Sequence, residues 1–570
     1  MIYLFTNVMM PYFRHINVML PLCKQIFFGL RRAMQILFSM FCIVSSAFAQ
    51  EISADSLKAH MFVLGDDALA GRGTGSEGIE RAAQYIEQVL TAYGIRPVSG
   101  MSSLRQTFPL HGSTPMETTE FKLFAPKDSY TLRLQEDYVL YSAGAQTFIP
   151  VAVPLIFVGY GIIAPEYDYN DYQAVDVRNA IVVFLSGEPP SQDDAYFDGA
   201  RSSVHSSFVM KQKTALARGA RGSIQIASPS DRSMDDWYEQ QRHFRFEEVR
   251  LLYTPSDNLN ILMNAKLAPF LFTDAAFSYD DIAEFERKGT MKSFPLSLRA
   301  GFQGKFVERD FLASNIVGMI EGSDPVLKDS YLLLSAHYDH LGIGTPVDGD
   351  SIYNGVFDNA SGVAALLEIA RTIASGPQRP KRSILFVFVT GEERGFLGSQ
   401  YYCSNPVVPL SKTAANINID GIALFEPARS VIGVGGEFST LGKQLQRSMS
   451  NTGVAVEELP AELFRPDQFR NSDQFMFAQA GVPAILIAEG LTYARTSYDD
   501  GIVRYVQWTE ERYHSPFDDL TQAMDFTAGA QHTSYIQRFA LDLANSNEEP
   551  QWYEGTPFLS ARLRSISEKR

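Results

Sequence analysis

Cysteine is nearly missing from this chain. Only Cys23, Cys42 and Cys403 occur in 570 residues. The first two lie in an N-terminal stretch with the pattern of a leader, so a disulfide framework is excluded. Positive charge is also in deficit: 49 Lys and Arg stand against 65 Asp and Glu, for a formal net charge of −16. A field of that sign repels phosphate backbones, which argues against nucleic-acid binding and for solubility. One region has no acid at all. Residues 1–49 hold Arg14, Lys24, Arg31 and Arg32 and no Asp or Glu, so removing these four positive charges would take the net charge from −16 to −20.

Arg31-Arg32, the apolar run from Ile36 to Val44, and Ala47-Phe48-Ala49 form the charged, apolar and small-residue regions of a secretory signal peptide, 1–49. Cleavage after Ala49 would leave Gln50 first. The apolar run is too short for a stable membrane span, so the expected product is exported, to a periplasm or out of the cell. The residues before Met34 add nothing to this signal, which makes Met34 a candidate start. Phe41-Cys42 lacks the small-residue context of a lipoprotein cleavage site. The glycine-rich Ala70–Ser76 stretch is not followed by Lys-Ser/Thr, so it is no phosphate-binding loop.

Residues 52–98 read as helical, with Ile79, Ala82, Ala83, Ile86, Val89, Leu90 and Tyr93 at the 3.6-residue period and Gly94 as the stop. From about 105 to 300 the texture changes to short strands and turns, including 150–161, 180–185 and 222–226, with a helix over 207–218. No ligand-spaced cluster of His, Cys or carboxylates occurs there. From Ala313 strands are expected at 314–321, 331–336, 383–389, 415–419, 431–434 and 484–488, with helices at 359–374, 438–451 and 473–480 between them. This alternation implies an α/β fold, a mostly parallel sheet sandwiched by helices. The expected division is 50–125 and 301–547 for one interrupted domain, 126–300 for an insert, and a loosely attached tail at 548–570.

Chemistry-bearing residues gather where the expected strands end. His337 and Asp339 follow one apolar run, Glu392 and Glu393 another; Asp358 opens a helix, and Asp420 and His514 lie in NINIDG and YHSPFDD. In an open α/β sheet, ligands collect at the carboxyl ends of strands. Two His and several carboxylates suit a borderline metal such as zinc, and without nearby thiolates they exceed what one closed structural site needs. Two ions about 3.5–4 Å apart sharing a carboxylate account for the count better, leaving one Glu to activate water.

The segments LSAHYDHLG, DNASGVAALLE, FVTGEERGFLGS, INIDGIA, RNSDQFMFAQAGVPAILI and YHSPFDDL, in this order, resemble the M28 family of zinc aminopeptidases. FVGYGIIAPEYDYNDY and DVRNAIVVFLSGEPP are similar to a protease-associated (PA) domain. The resemblance implies the zinc-dependent exopeptidase fold with a PA-like mixed α/β insert. It implies two Zn²⁺ ions, for which cobalt or manganese can substitute. Asp358 would bridge them, His337 and Asp420 would complete one site, and Glu393 and His514 the other. Glu392 would be the general base, and Asp339 would accept the far N–H of His337. It further implies a cis Asp358–Asn359 peptide and, as substrates, peptides with a free N-terminus. Where many relatives read Ser-Asp-His, this chain has Ser472-Asp473-Gln474, so Asp473 and Gln474 become candidate substrate contacts that cannot supply a cation. His340, Asp518 and Asp519 read as incidental, and Tyr493, Tyr498 and Tyr505 as weak pocket candidates. Alternatives are a glutaminyl cyclase, disfavoured by having both His337 and Asp420, a carboxypeptidase-like relative, and a silent binding protein, disfavoured by an intact Glu392.

Overall fold

The structure is a computed structural model that describes residues 51–569 except 143–147, 194, 198, 200–202, 232–236, 243, 254–258 and 460–467. The leader and its cleavage site lie outside the described residues. Among the described residues no helix is long and apolar enough to cross a membrane.

Nine strands make the first sheet: β1 (Arg105–Pro115), β2 (Glu248–Leu251), β3 (Phe306–Ile320), β4 (Tyr331–His337), β5 (Ser383–Val389), β6 (Thr413–Asn418), β7 (Ser430–Val434), β8 (Ala455–Glu457) and β9 (Ala484–Glu489). Their spatial order is β2-β1-β3-β5-β4-β6-β9-β7-β8. The central four, β5-β4-β6-β9, run parallel. Antiparallel pairs flank them: β3 joins β5 on one side and β7 joins β9 on the other.

The parallel strands are apolar throughout because both faces are covered. In β5, Ile384, Phe386 and Phe388 face one core, and Leu385, Val387 and Val389 face another. The first core is closed by α1 (Ala54–Leu64), α2 (Glu77–Ala92), α3 (Gly362–Ser375), and two helices introduced below. Against the second core pack α4 (Leu397–Ser404) and the short helix Gln474–Gln479 that follows Asp473. Helix α2 starts at Ser76, whose Oγ accepts the Ile79 N–H, and ends where Gly94 takes φ +75° and the Ile95 N–H reaches Leu90. The stop at Gly94 follows the sequence pattern, while the stretch read as helical over 52–98 contains two helices, α1 and α2. Later in the chain come α5 (Leu441–Met449), α6 (Gln474–Gln479), α7 (Tyr498–Glu511), α8 (Phe526–Asn545) and α9 (Leu559–Glu568); α5 and α8 complete the first core.

A second sheet of eight strands lies between Glu120 and Gln303 and has its own aromatic-rich core. Its centre is parallel, 148–158 with 181–185, 222–226 and 259–263. Within this excursion the chain returns once to the first sheet, where β2 pairs with β1.

The C-terminal tail departs from the sequence expectation. It is docked rather than loose: Trp552 is buried and donates its indole N–H to the Gly481 carbonyl at 2.9 Å, and Phe558 packs against Phe438, Phe469 and Trp552. Arg562 donates to the Leu410 carbonyl at 2.8 Å. Two isolated aromatic anchors make no periodic pattern, which is why the stretch reads as featureless. Replacing Trp552→Ala is expected to cost about 3 kcal/mol of unfolding free energy, as for a large core truncation. Urea denaturation measures it; a loss under about 1 kcal/mol, a surface-like value, would contradict the docking.

Candidate metal centre

His337 is the last residue of β4, Glu392 and Glu393 sit in the turn just past β5, and Asp420 lies two residues beyond β6. Three adjacent parallel strands thus deliver their polar ends to one spot. Asp358 reaches the same spot from the kinked turn ahead of α3, and His514 from the loop after α7, where its backbone is left-handed at φ +54°.

Asp358 stands between the two histidines. Its Oδ1 lies 3.2 Å from His337 Nε2 and its Oδ2 lies 3.2 Å from His514 Nε2. Asp420 Oδ1 is 3.1 Å from His337 Nε2, and Glu393 Oε2 is 3.3 Å from His514 Nε2. The five residues therefore form two donor groups that share one carboxylate. Two triads are also compact enough for one ion each, His337–Glu392–Asp420 and His340–Asp358–Glu393, with all donor atoms of each within 4.8 Å. These triads bring in Glu392 and His340 where the nearest-atom pairs bring in Asp358 and His514. His340 Nδ1 is close to Glu393 but 3.9 Å from Asp358, whereas His514 Nε2 meets both carboxylates within 3.3 Å, which makes His514 the better-placed partner of the shared Asp358.

The turn carrying Asp358 is fixed from both sides. The buried Asp518 carboxylate accepts the Phe357 N–H at 2.9 Å and the Asp358 N–H at 3.0 Å. Asn359 donates to the Ile419 carbonyl at 2.9 Å and accepts from the Gly421 N–H at 2.9 Å, which ties this turn to the Asp420 loop. The Asp358–Asn359 peptide is cis, as the resemblance implies. Arg72, fully buried, donates to the carbonyls of Tyr338, Asn354 and Gly355 and so pins the β4 exit against the same turn.

Three expectations need correction. The far nitrogen of His337 faces the main-chain carbonyl of Asp339 at 3.2 Å, while the Asp339 carboxylate lies 3.9 Å away. That carboxylate is occupied elsewhere, accepting the Thr74 hydroxyl and the N–H groups of Glu392 and Glu393. It shapes the glutamate turn rather than the imidazole. Asp473 and Gln474 are fully buried and do not line the adjoining cavity. Ser399 donates to Asp473, and Gln474 bridges Asn418 and the Phe469 carbonyl, so both hold the framework. His340 and Asp518 are not incidental. His340 Nδ1 lies 2.6 Å from Glu393 Oε1. The available signal was closeness in sequence: His340 adjoins Asp339, and Asp518 follows His514 in YHSPFDD.

The chemistry of the donor set fits zinc. His340 Nδ1 and Glu393 Oε1 approach without hydrogen-bond geometry, so this buried carboxylate oxygen has no donor. Such an oxygen, among imidazole nitrogens and further carboxylates, is matched to a cation. The proton distribution agrees. Burial disfavours the His514 imidazolium, but Glu393 and Asp358 outweigh it and raise its pKa to about 10. Burial opposes the His337 cation too, yet Asp420 and Glu392 hold it well above its usual range. Burial and Glu393 push against the Asp358 anion, and His337 and His514 keep it below the ordinary carboxylate range. Protons on the two histidines thus stand in for metal charge.

Residues 315–540 match the model of peptidase family M28. The chain carries an M28 peptidase domain. All five proposed ligands and Glu392 fall within those residues. The chain is 27% identical over 266 residues to a "Probable zinc metalloprotease" of Pyrenophora tritici-repentis, covering 42% of this chain and 58% of that one. Leupeptin-inactivating enzyme 1 of Streptomyces exfoliatus is 27% identical over 219 residues, 37% of this chain and 44% of its own. The chain therefore matches about half the length of these curated relatives. In fold it is similar to the aminopeptidase from Aneurinibacillus sp. strain AM-1, with TM-score 0.52 and 16% identity over 89% of this chain and 96% of that one.

Because a metal takes neutral imidazole, zinc uptake by the M28 domain must displace the histidine protons. Groups with raised pKa are protonated at neutral pH in the metal-free protein, so affinity is expected to weaken as pH falls from 8 to 6. Calorimetry in buffers of different ionisation enthalpy should record at least one proton released per chain at pH 7. Uptake with no proton release would contradict the assignment.

Proposed function

We propose that the chain is a zinc aminopeptidase that binds two ions and hydrolyses the first peptide bond of peptides with a free N-terminus. The observation that carries this reading is the shared carboxylate: Asp358 offers one oxygen to the His337 side and the other to the His514 side. His337 and Asp420 would hold one ion, Glu393 and His514 the other. Bound zinc supplies Lewis acidity and lowers the pKa of water.

The protein's own groups do the rest. Glu392 is buried beside the cluster, and burial, with help from Glu393 and Asp420 and against His337, raises its pKa well above the usual carboxylate range. A carboxylate so placed has the basicity to take the proton of the attacking water and to return it to the leaving amine. The anionic surroundings of Asp358, Asp420 and Glu393 favour a substrate ammonium, which restricts cleavage to the chain's first residue. Among the described residues lining the adjoining cavity there is no Lys or Arg.

The lobe of the second sheet is read as PA-like, interrupting a catalytic domain that resumes at about residue 301. The leader pattern in residues 1–49 supports export to a periplasm or beyond the cell. Replacing Glu392→Gln tests the base. Zinc content should be unchanged while kcat for aminoacyl p-nitroanilides falls about 10²–10⁴-fold, the contribution of a positioned acid–base group. A fall under about threefold would remove Glu392 from the chemistry.

A further inference from the structure

A cavity of about 370 Å³ opens beside Asp358 and Asp420. Apolar residues from several elements wall it, among them Ile422, Phe425, Leu486 and Trp508. Such a wall alone would suit any aliphatic or aromatic side chain. Two carboxylates break it besides those at the metal centre: Glu489, the last residue of β9, and Glu510 near the end of α7. Glu510 is exposed, whereas Glu489 is largely withdrawn from solvent.

A carboxylate on an apolar wall is costly unless a donor or cation meets it. Glu489 Oε2 accepts the Tyr493 hydroxyl at 3.1 Å. The nearby guanidinium of Arg504 is turned elsewhere: it donates to Thr496 Oγ1 at 2.6 Å and lies 3.6 Å from Glu426. Burial pushes the Glu489 carboxyl up to about 8, with Tyr493 and Arg504 opposing. A cation entering the cavity would draw that proton off and pair with the anion.

We propose that this cavity takes the side chain of the N-terminal residue and that Glu489 selects side chains ending in a cation, lysine and arginine. Their methylene stems match the apolar wall and their charged heads match the carboxylate. A Glu or Asp side chain would meet the like charges of Glu489, Glu510, Asp358 and Asp420. This inference rests on the aminopeptidase reading and adds the side-chain class to it.

The test compares kcat/KM for the p-nitroanilides of Lys, Arg, Leu and Glu on the zinc-loaded full-length protein and on Glu489→Gln, an isosteric change that keeps an acceptor for Tyr493. Lys and Arg should exceed Leu about tenfold or more in the wild type. In the variant the Lys/Leu ratio should fall about 30-fold, mostly through KM. A wild type that prefers Leu, or a ratio that stays within threefold in the variant, overturns the proposal. Should no p-nitroanilide turn over, the aminopeptidase reading fails first. Calorimetric binding of arginine amide against norleucine amide then decides the pocket by itself. Tighter arginine amide binding, weakened at least tenfold in the variant, supports Glu489; equal binding of the two amides overturns it.

Discussion

The position of one carboxylate governs this site. Asp358 must face two histidines that arrive from opposite directions, one from a strand end and one from a loop more than 150 residues later in the chain. Neither its turn nor its side chain is left to local preference. Asp518 holds the two N–H groups at and before it, and Asn359 links it to the loop of Asp420. Buried hydrogen bonds of this kind are expensive to break, so the metal-binding geometry is prepared by the folded protein rather than assembled on demand.

The sheet explains why these groups meet. Parallel strands β4, β5 and β6 end side by side, so a residue placed just past each lands in the same place. Helices on both faces keep water from the strands but leave their carboxyl ends open. The excursion through the second sheet also bears on this end of the molecule. The ring of Phe246, just before β2, packs edge-on to Tyr353 and lies under the Arg394 guanidinium, next to Glu393. The return of the chain to the first sheet thus buttresses the glutamate turn.

Much of this was legible in the sequence, and the failures have physical causes. The apolar runs of β4 and β5 and the polar residues at their ends announce themselves, because buried parallel strands are continuous in composition. The flanking strand β1 does not, since its buried residues are broken by partly exposed ones and its pairing with β3 joins residues about 200 positions apart; in β3 only the buried second half, near the expected 314–321, reads as a strand. His340 reads as incidental because its neighbour His337 already ends the strand; only the fold turns it against Glu393. Asp473 and Gln474 show the reverse error. They sit in a motif near the site, but both are buried in the framework, where Ser399 meets one Asp473 oxygen and Asn418 and a carbonyl hold Gln474. Position along the chain places a residue near chemistry, and hydrogen bonding decides whether it takes part.

Under the two-ion proposal, Asp358 is shared by both metals. Diffraction from zinc-soaked crystals, collected on either side of the zinc absorption edge, tests it most directly. The account predicts two anomalous peaks flanking the Asp358 carboxylate, about 3.5–4 Å apart, one beside His337 and Asp420 and the other beside Glu393 and His514. A single peak, or two peaks with Asp358 contacting only one, would contradict it.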